Sequence, residues 1–167
     1  MVNKFSRWSK HFFQSPGALR RRFTPRVLQA IEEAVRGSEN AHGGEIRFVV
    51  EAKLPLSAIR AGQTPRERAV GLFARLGVWD TEENNGVLIY VLLADRGVEI
   101  VADRGLNKRI APAEWEAVCR SMETHFKQSR FEEGSLAGIQ GVSRLLAHHF
   151  PAQTKTRNEL PDKPIVF

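Results

Sequence analysis

The sequence contains very little cysteine and no long apolar run. Cys119 is the single cysteine among 167 residues, so no disulfide can form within the chain and no metal site can be built from cysteines. No apolar stretch reaches the roughly 18 residues that a membrane-spanning helix requires. Residues 1–23 also lack the uninterrupted apolar stretch and small-residue cleavage site of a secretory signal. These absences predict a cytoplasmic protein.

The motifs of the common hydrolases are missing as well. The sequence has no Gly-x-Ser-x-Gly turn, no phosphate-binding loop and no His-Glu-x-x-His zinc motif. Cys119 is followed directly by Arg120, which is not the Cys-x5-Arg spacing of a thiol phosphatase. The residues themselves therefore give no support to a hydrolase that uses a side-chain nucleophile.

Positive charge is concentrated at the N-terminus. The formal net charge is +6, and residues 1–26 hold seven of the 25 basic residues and no acidic residue. The rest of the chain is close to neutral, with 18 basic and 19 acidic residues. This asymmetry is typical of an interaction arm attached to a neutral domain.

Residues 1–23 form the predicted basic N-terminal arm. Phe5, Trp8 and Phe12 fall on one face of an amphipathic helix, and basic residues lie off that face. The arm has three possible binding surfaces, and the first we expect is the domain itself or a protein partner. An anionic membrane surface, at the inner membrane, is second. Single-stranded nucleic acid, bound by charge and stacking, is last and is not expected as a partner.

Local capping signals place two helices in the first half of the domain. Thr24 followed by Pro25 predicts an N-cap and a first turn. Residues 64–67, Thr-Pro-Arg-Glu, form a capping box for a second helix that ends near Leu76, with Gly77 beyond it. The residues of this helix predicted to face the core are Ala69, Val70, Phe73 and Leu76.

Three apolar segments predict strands. Residues 45–53 alternate between apolar and polar side chains, which is typical of a strand with one buried face. Residues 87–93 form a continuous apolar run, which predicts a central strand buried on both faces. The turn Asp95-Arg96-Gly97 connects this run to a further strand over residues 98–102.

Two further helices, over residues 112–128 and 132–150, follow the strands. Helices that alternate with strands and end in a helix pair predict a three-layer α/β/α sandwich around a small mixed sheet. The predicted domain covers residues 24–150. Residues 151–167 contain three prolines and few apolar side chains, so they are predicted to form an extended or disordered tail.

The polar loop before the central strand is the most informative stretch of the chain. If the two following strands form a hairpin, the aspartate after them lies close to this loop. The candidate metal ligands are Asp80, Glu83, Asn84, Asn85 and Asp103. They supply the hard oxygen atoms that calcium prefers. The alternative is a polar turn, with Asp80 as a capping residue and Asn84 or Asn85 in the left-handed region before Gly86.

Glu39, His42 and Glu45 flank the turn between the first helix and the first strand. Their side chains are suited to acid–base chemistry. We expect them instead to be solvated loop residues.

Four motifs in a fixed order carry a resemblance to a known family. They are Gly77-Val78-Trp79, Asn84-Asn85-Gly86-Val87-Leu88, Val98-Glu99-Ile100 and Arg104-Gly105-Leu106. With these motifs the chain resembles the TPM-domain family over residues 24–150. The best-known members of that family lie in the thylakoid lumen and the bacterial envelope. The resemblance implies a four-stranded mixed sheet between helices.

The resemblance also implies a range of functions. The first is an interaction or maintenance module that binds a divalent cation, Ca²⁺ or Mg²⁺, with no organic cofactor, and acts near membranes or envelope proteins. The alternative is a weak metal-assisted acid phosphatase with Asp80, Asp103 and Arg104 as catalytic candidates, in which the arginine clamps the phosphate. The chain departs from the family pattern because Asn84 replaces an expected aspartate. Asp103 either compensates for this loss or pairs with Arg104 or Arg109.

Overall fold

A computed structural model describes residues 16–152 and 158–167 of the chain. Its helices are α1 (Pro16–Arg22), α2 (Pro25–Ser38), α3 (Leu56–Arg60), α4 (Pro65–Arg75), α5 (Arg104–Asn107), α6 (Pro112–Lys127) and α7 (Phe131–His149). Its strands are β1 (Glu45–Glu51), β2 (Gly86–Leu92), β3 (Gly97–Ala102) and β4 (Ile165–Val166). The predicted helical face of Phe5, Trp8 and Phe12 lies outside these ranges. None of the helices within them is long and apolar enough to cross a bilayer.

Within the described ranges the strands form one mixed sheet in the order β3–β2–β1–β4. β2 and β3 form the predicted antiparallel hairpin, with Ile89 opposite Ile100. β1 runs parallel to β2, with Phe48 opposite Ile89, and parallel to β4. The mixed four-stranded sheet is therefore confirmed. This topology brings the start of β1, the start of β2 and the end of β3 together at one end of the sheet.

Helices cover both faces of this sheet. On one face, α2, α6 and α7 pack over a core that contains Phe48 and Ile89. On the other face, α4 packs over a second core that contains Val49, Leu88 and Leu72. Successive strand residues point to opposite faces, so β1 and β2 contribute to both cores. The predicted three-layer α/β/α sandwich is confirmed.

Local sequence determines where the helices begin. The side chain of Thr24 accepts a hydrogen bond from the Val27 N–H at 3.4 Å, directly before α2. At α4, Thr64 Oγ1 accepts from the Glu67 N–H at 3.1 Å, and the Glu67 carboxylate accepts from the Thr64 N–H at 2.7 Å. Both predicted N-caps are confirmed because each depends on residues only three positions apart.

The predicted inward face of α4 is wrong at one position. Ala69 and Leu72 are buried, whereas Val70 is 47% exposed. Phe73 and Leu76 are partly buried against the second core. Residues 69, 72, 73 and 76 follow the i, i+3, i+4, i+7 spacing of a single helical face, and Val70 lies beside that face.

The N-terminal boundary of the domain differs from the prediction. α1 lies within the predicted arm, and its Leu19 is 5% exposed while the adjacent Phe23 is 2% exposed. Both belong to the same core as Ile31. The ring of Phe23 also packs against Phe131, with 5.8 Å between the ring centroids. The chain from residue 16 onward therefore belongs to the domain, because these apolar side chains complete its core.

Residues 158–167, here called the C-terminal strap, also pack against the domain. Ile165 and Val166 form β4 beside Val49 and Val50, and Leu160 is 7% exposed in the second core. The strap is extended, as predicted, but it is not a separate tail because it supplies the fourth strand. Its prolines lack an N–H group, which limits the length of chain that can join the ladder.

The first strand is buried on both faces rather than on one. All seven residues of β1 are buried, including Glu45, Arg47 and Glu51. The strap covers the first two of these side chains, and Arg68 of α4 pairs with the third. The alternating pattern of β1 predicted an exposed face. That prediction is wrong because the partners of these charged residues lie elsewhere in the chain and could not be inferred from β1 itself.

Candidate functional site

The polar loop between α4 and β2 is anchored by its small and apolar residues. Gly77 ends α4 with a φ angle of 66°. Val78 is buried, and its carbonyl oxygen would lie 1.9 Å from a Cβ atom built at Gly86. The buried Thr81 accepts the N–H of Asn85 on its Oγ1 atom at 3.1 Å. The loop therefore folds back onto the start of β2.

The two asparagines of the loop have different surroundings. Asn84 is exposed and has a φ angle of 53°, in the left-handed region that asparagine tolerates. Asn85 is 2% exposed, and its Nδ2 donates a hydrogen bond to the Gly43 carbonyl. Its Oδ1 has no hydrogen-bond partner among the described residues. The predicted left-handed asparagine is thus found at Asn84, while Asn85 holds a buried oxygen atom.

Asp103 follows β3 directly and caps α5. It is 5% exposed, and its Oδ1 accepts the backbone N–H of Arg104 at 2.5 Å. Its own N–H donates to the Gly86 carbonyl at 2.9 Å. Its Oδ2 is buried and lacks a hydrogen-bond partner in the described part of the chain. Asp103 therefore carries a second buried oxygen atom, one strand away from Asn85.

Gly105 brings the Asp103 turn against the polar loop. A Cβ atom at this position would lie 2.5 Å from the carbonyl oxygen of Asn84 and 3.2 Å from that of Glu83. Only glycine permits two backbones to approach this closely. The loop carbonyls and the Asp103 turn are therefore in contact, as the predicted hairpin required.

Residues 42–44, before β1, form the third segment at this end of the sheet. We call residues 42–44, 79–86 and 103–105 together the loop edge. His42 is 1% exposed, and its Nδ1 lies within hydrogen-bond distance of both the carbonyl oxygen, at 3.0 Å, and the N–H, at 3.2 Å, of Gly44. Its Nε2 has no partner among the residues described. Burial lowers the pKa of His42, so its ring is neutral at pH 7.

The expectation that His42 is a solvated loop residue is wrong. His42 forms a bridge with Pro151, and the neighbouring Gly43 donates its N–H to the Phe150 carbonyl at 2.9 Å. The residues that follow α7 therefore lie against this segment. The pair Gly43-Gly44 was the available sequence signal, because it permits close approach of another backbone.

The loop edge is rich in oxygen atoms but does not gather the predicted charges. Asp80 and Arg104 are exposed. In residues 16–152 and 158–167, no group of three or more His, Cys, Asp or Glu side chains is arranged to hold a metal ion. The buried donors are instead one carboxylate, from Asp103, and one carboxamide, from Asn85. This hard donor set fits Ca²⁺ or Mg²⁺ better than a softer metal.

A second group of carboxylates lies at the start of β1, beside the strap. Glu45 is 4% exposed and accepts the Leu160 N–H at 3.2 Å. Burial raises its pKa. Burial, followed by repulsion from Glu45 and Asp162, raises the pKa of Glu39 to about 8. The expectation that both glutamates are solvated is wrong: Glu45 is buried and Glu39 is partly buried, and the strap that covers Glu45 could not be placed from sequence.

The raised pKa of Glu39 makes the stability of the fold depend on pH. Its carboxyl group loses its proton near pH 4.5 in the unfolded chain and near pH 8 in the folded chain. The free energy of unfolding therefore decreases as pH rises between these values. We expect the urea midpoint of the wild type to fall between about pH 5 and pH 8 more steeply than that of Glu39→Gln. Parallel pH curves for the two proteins would contradict this assignment.

The fold and the loop edge together define a class: an α/β/α sandwich with oxygen-rich loops before two parallel strands. The sequence profile of the TPM domain matches residues 20–145. The chain therefore belongs to the TPM domain family, which confirms the resemblance seen in its motifs. No curated protein matches the chain.

Two solved structures are similar to this chain. The NMR structure of BA42 protein from the psychrophilic bacteria Bizionia argentinensis sp. nov. is 30% identical, with a TM-score of 0.74, and the match covers 86% of this chain and 94% of that chain. The solution NMR structure of the N-terminal domain of a protein from P. gingivalis is 21% identical, with a TM-score of 0.60, and the match covers 78% and 82%. The second likeness shows the fold alone.

Proposed function

We propose that this TPM domain is an interaction module whose loop edge binds a divalent cation, Ca²⁺ or Mg²⁺. The observation that carries the proposal is the pair of buried oxygen atoms, Asn85 Oδ1 and Asp103 Oδ2, without hydrogen-bond partners in the described residues. A buried polar atom left unpaired costs about 1–3 kcal/mol, and more when it is charged. A cation in contact with these atoms would remove that cost.

The neighbouring groups are suited to complete the coordination. The carbonyl oxygens of Glu83 and Asn84 lie against Gly105, beside Asp103. Glu83 Oε2 would lie 3.8 Å from a Cβ atom at Gly43, so its carboxylate is close to the same edge. A bound cation would join the loops electrostatically and would offer remaining coordination positions to oxygen atoms of a protein partner.

The geometry favours binding over catalysis. Arg104 contacts Asp103 through its backbone N–H, and the residue itself is exposed. Asp80, the third candidate of the phosphatase alternative, is also exposed. A cation held by Asn85 and Asp103 needs neither side chain.

Calorimetric titration with CaCl₂ and with MgCl₂ tests the proposal. We expect the wild type to bind at least one cation and Asp103→Asn to bind it at least about tenfold more weakly, which corresponds to ~1.4 kcal/mol. Asparagine retains the helix-capping function of this position, so the variant removes the charge while keeping the turn. Asp80→Ala measures whether the exposed carboxylate of the loop also contributes.

Glu133→Gln is the matched control for this titration. Glu133 is exposed in the first turn of α7, at the opposite end of that helix from the loop edge. Glu133→Gln removes one negative charge, as Asp103→Asn does. Because Glu133 is far from the loop edge, the cation affinity of this variant is expected to equal that of the wild type. Absence of binding by the wild type would remove the cation from the proposal. Equal affinity of wild type and Asp103→Asn would exclude the loop edge as its site.

A further inference from the structure

Two buried charged side chains of β1 hold the C-terminal strap by its backbone. Arg47 is 9% exposed, and its Nη1 donates to the carbonyl oxygens of Lys163, at 2.8 Å, and Pro161. Glu45 accepts the backbone N–H of Leu160. These contacts use peptide groups, which an extended segment of another sequence also offers. Because a buried charge without partners is unfavourable, this part of β1 requires an extended chain against it.

Three side chains give the same surface its sequence preference. Leu160 inserts into the second core and is 7% exposed. Asp162 accepts a hydrogen bond from Arg36 Nε at 3.1 Å. Ile165 pairs with Val49 at the edge of the sheet. Backbone contacts that give affinity, combined with side-chain contacts that give specificity, are the features of peptide recognition by strand addition.

The strap is held less firmly than the strands it joins. Backbone pairing of the strap with β1 and the adjacent Ala52 is confined to residues 165–167, and Val166 and Phe167 are 39% and 45% exposed. β1 makes seven pairings with β2, and none of them involves the strap. Elements with few contacts and exposed hydrogen bonds open at a lower free energy than the whole domain. The strap can therefore leave while the three-stranded core of the sheet stays folded.

β3 is the outer strand on the other side of the sheet, and it cannot accept an added strand. On β3, the N–H of Val98 donates to the carboxylate of Glu123 at 3.3 Å. The carbonyl of Ala102 accepts from Asn107 Nδ2 at 2.8 Å. Side chains that satisfy edge groups in this way prevent pairing with other chains. Strand exchange is therefore confined to the β1 edge.

We propose that the outer edge of β1, with Glu45 and Arg47, is a binding site for an extended peptide, and that the strap is its internal occupant. The partner is an extended segment of another polypeptide that displaces the strap and runs parallel to β1. It carries the strap's own pattern: a leucine, an acidic residue two positions later, and an aliphatic β-branched residue three positions after that. This site uses other side chains than the cation site but adjoins it, because the Glu159 carboxylate of the strap accepts the Glu82 N–H of the loop edge at 3.0 Å.

A peptide-binding experiment on the full chain tests the proposal. The probe is a fluorescently labelled synthetic peptide with the sequence of residues 158–167, followed by anisotropy. Leu160→Asp in the chain weakens its own strap and leaves β1 unchanged. We expect this variant to bind the peptide at least tenfold more tightly than the wild type, whose strap competes for the site. A peptide that carries aspartate at the Leu160 position is the control and is expected not to bind.

A second substitution locates the site. Adding Arg47→Ala to the Leu160→Asp chain is expected to abolish peptide binding, because the clamp on the two carbonyl groups is lost. Equal affinity of wild type and Leu160→Asp, or binding that survives Arg47→Ala, would overturn the proposal. A concentration-dependent dimer of the wild type that the peptide dissociates would also overturn it, because the occupant would then be a second copy of this chain.

Hydrogen exchange of the wild type keeps the proposal testable even if Leu160→Asp fails to fold. The N–H of Ala52 donates to the Phe167 carbonyl at 3.1 Å, so its exchange reports release of the strap. We expect this amide to exchange at least 100-fold faster than the buried amide of Ile89 in β2. Equal protection of the two amides would show that the strap is a permanent part of the fold.

Discussion

Replacing Arg68 by methionine is expected to lower the free energy of unfolding by about 3–5 kcal/mol. Arg68 donates two hydrogen bonds to the buried carboxylate of Glu51, from Nε at 2.9 Å and from Nη2 at 2.7 Å. The hydroxyl of Tyr90, which is fully buried, donates to the same carboxylate at 2.7 Å. Methionine fills similar space without charge, so the variant leaves a carboxylate that is only 3% exposed without its cation.

Urea denaturation at pH 7 measures this effect, and two further variants identify its cause. Arg120→Met removes an exposed arginine that lies 3.4 Å from Glu116 on the same helix, and we expect it to cost less than about 0.5 kcal/mol. Combining Arg68→Met with Glu51→Leu is expected to be less destabilising than Arg68→Met alone, because no charge then remains buried. A loss below about 1 kcal/mol for Arg68→Met would show that water reaches Glu51.

This ion pair illustrates which parts of the fold are predictable from sequence. The caps at Thr24 and Thr64 and the hairpin after β2 depend on neighbouring residues, and all were predicted. The partners of Glu51 are Arg68 on a different element and Tyr90 on a different strand. A charged residue in an alternating strand is typical of an exposed face. Burial of Glu51 therefore could be inferred only after the packing of α4 on the sheet was known.

The packing of the strap against the domain was not predicted, for the same physical reason. Its two-residue strand is too short to give a periodic signal, and its prolines are typical of a loop. It is fixed by Arg47, Glu45 and Arg36, which are more than a hundred positions away along the chain. The burial of Phe23 likewise depends on contact with the distant Phe131. Contacts of this kind leave no local pattern.

The loop edge was predicted in part. The motif around Asn84, Asn85 and Gly86 correctly indicated a turn that meets the residues after β3, because glycines there permit close backbone approach. The sequence did not distinguish buried from exposed ligands: Asp80 is exposed, whereas Asn85 and Asp103 are buried. The burial of His42 beside them was also not predicted, and its only sequence signal was the adjacent pair Gly43-Gly44. The location of the candidate site could therefore be predicted from the sequence. Which oxygen atoms are buried there could be learned only from the packing of the folded chain.

Replacing Gly86 by alanine is expected to destabilise the domain by about 3 kcal/mol or more. The added Cβ atom would lie 1.9 Å from the carbonyl oxygen of Val78 and 3.0 Å from its carbonyl carbon. Both are backbone atoms of the polar loop, so no change of rotamer relieves the clash. Either the start of β2 must shift within a fully buried strand, or the loop must leave its position against the strand.

Gly71→Ala is the matched control for Gly86→Ala, because it makes the same chemical change in a different environment. Gly71 lies within α4 and is exposed, and a Cβ atom there meets no other atom within 4 Å. Alanine is a better helix former, so this variant is expected to stabilise the domain by about 0.5–1 kcal/mol. Thermal or urea unfolding should therefore move in opposite directions for the two variants. If Gly86→Ala is tolerated, the polar loop is not held against β2, and the buried oxygen atom of Asn85, whose position depends on that contact, would be accessible to water.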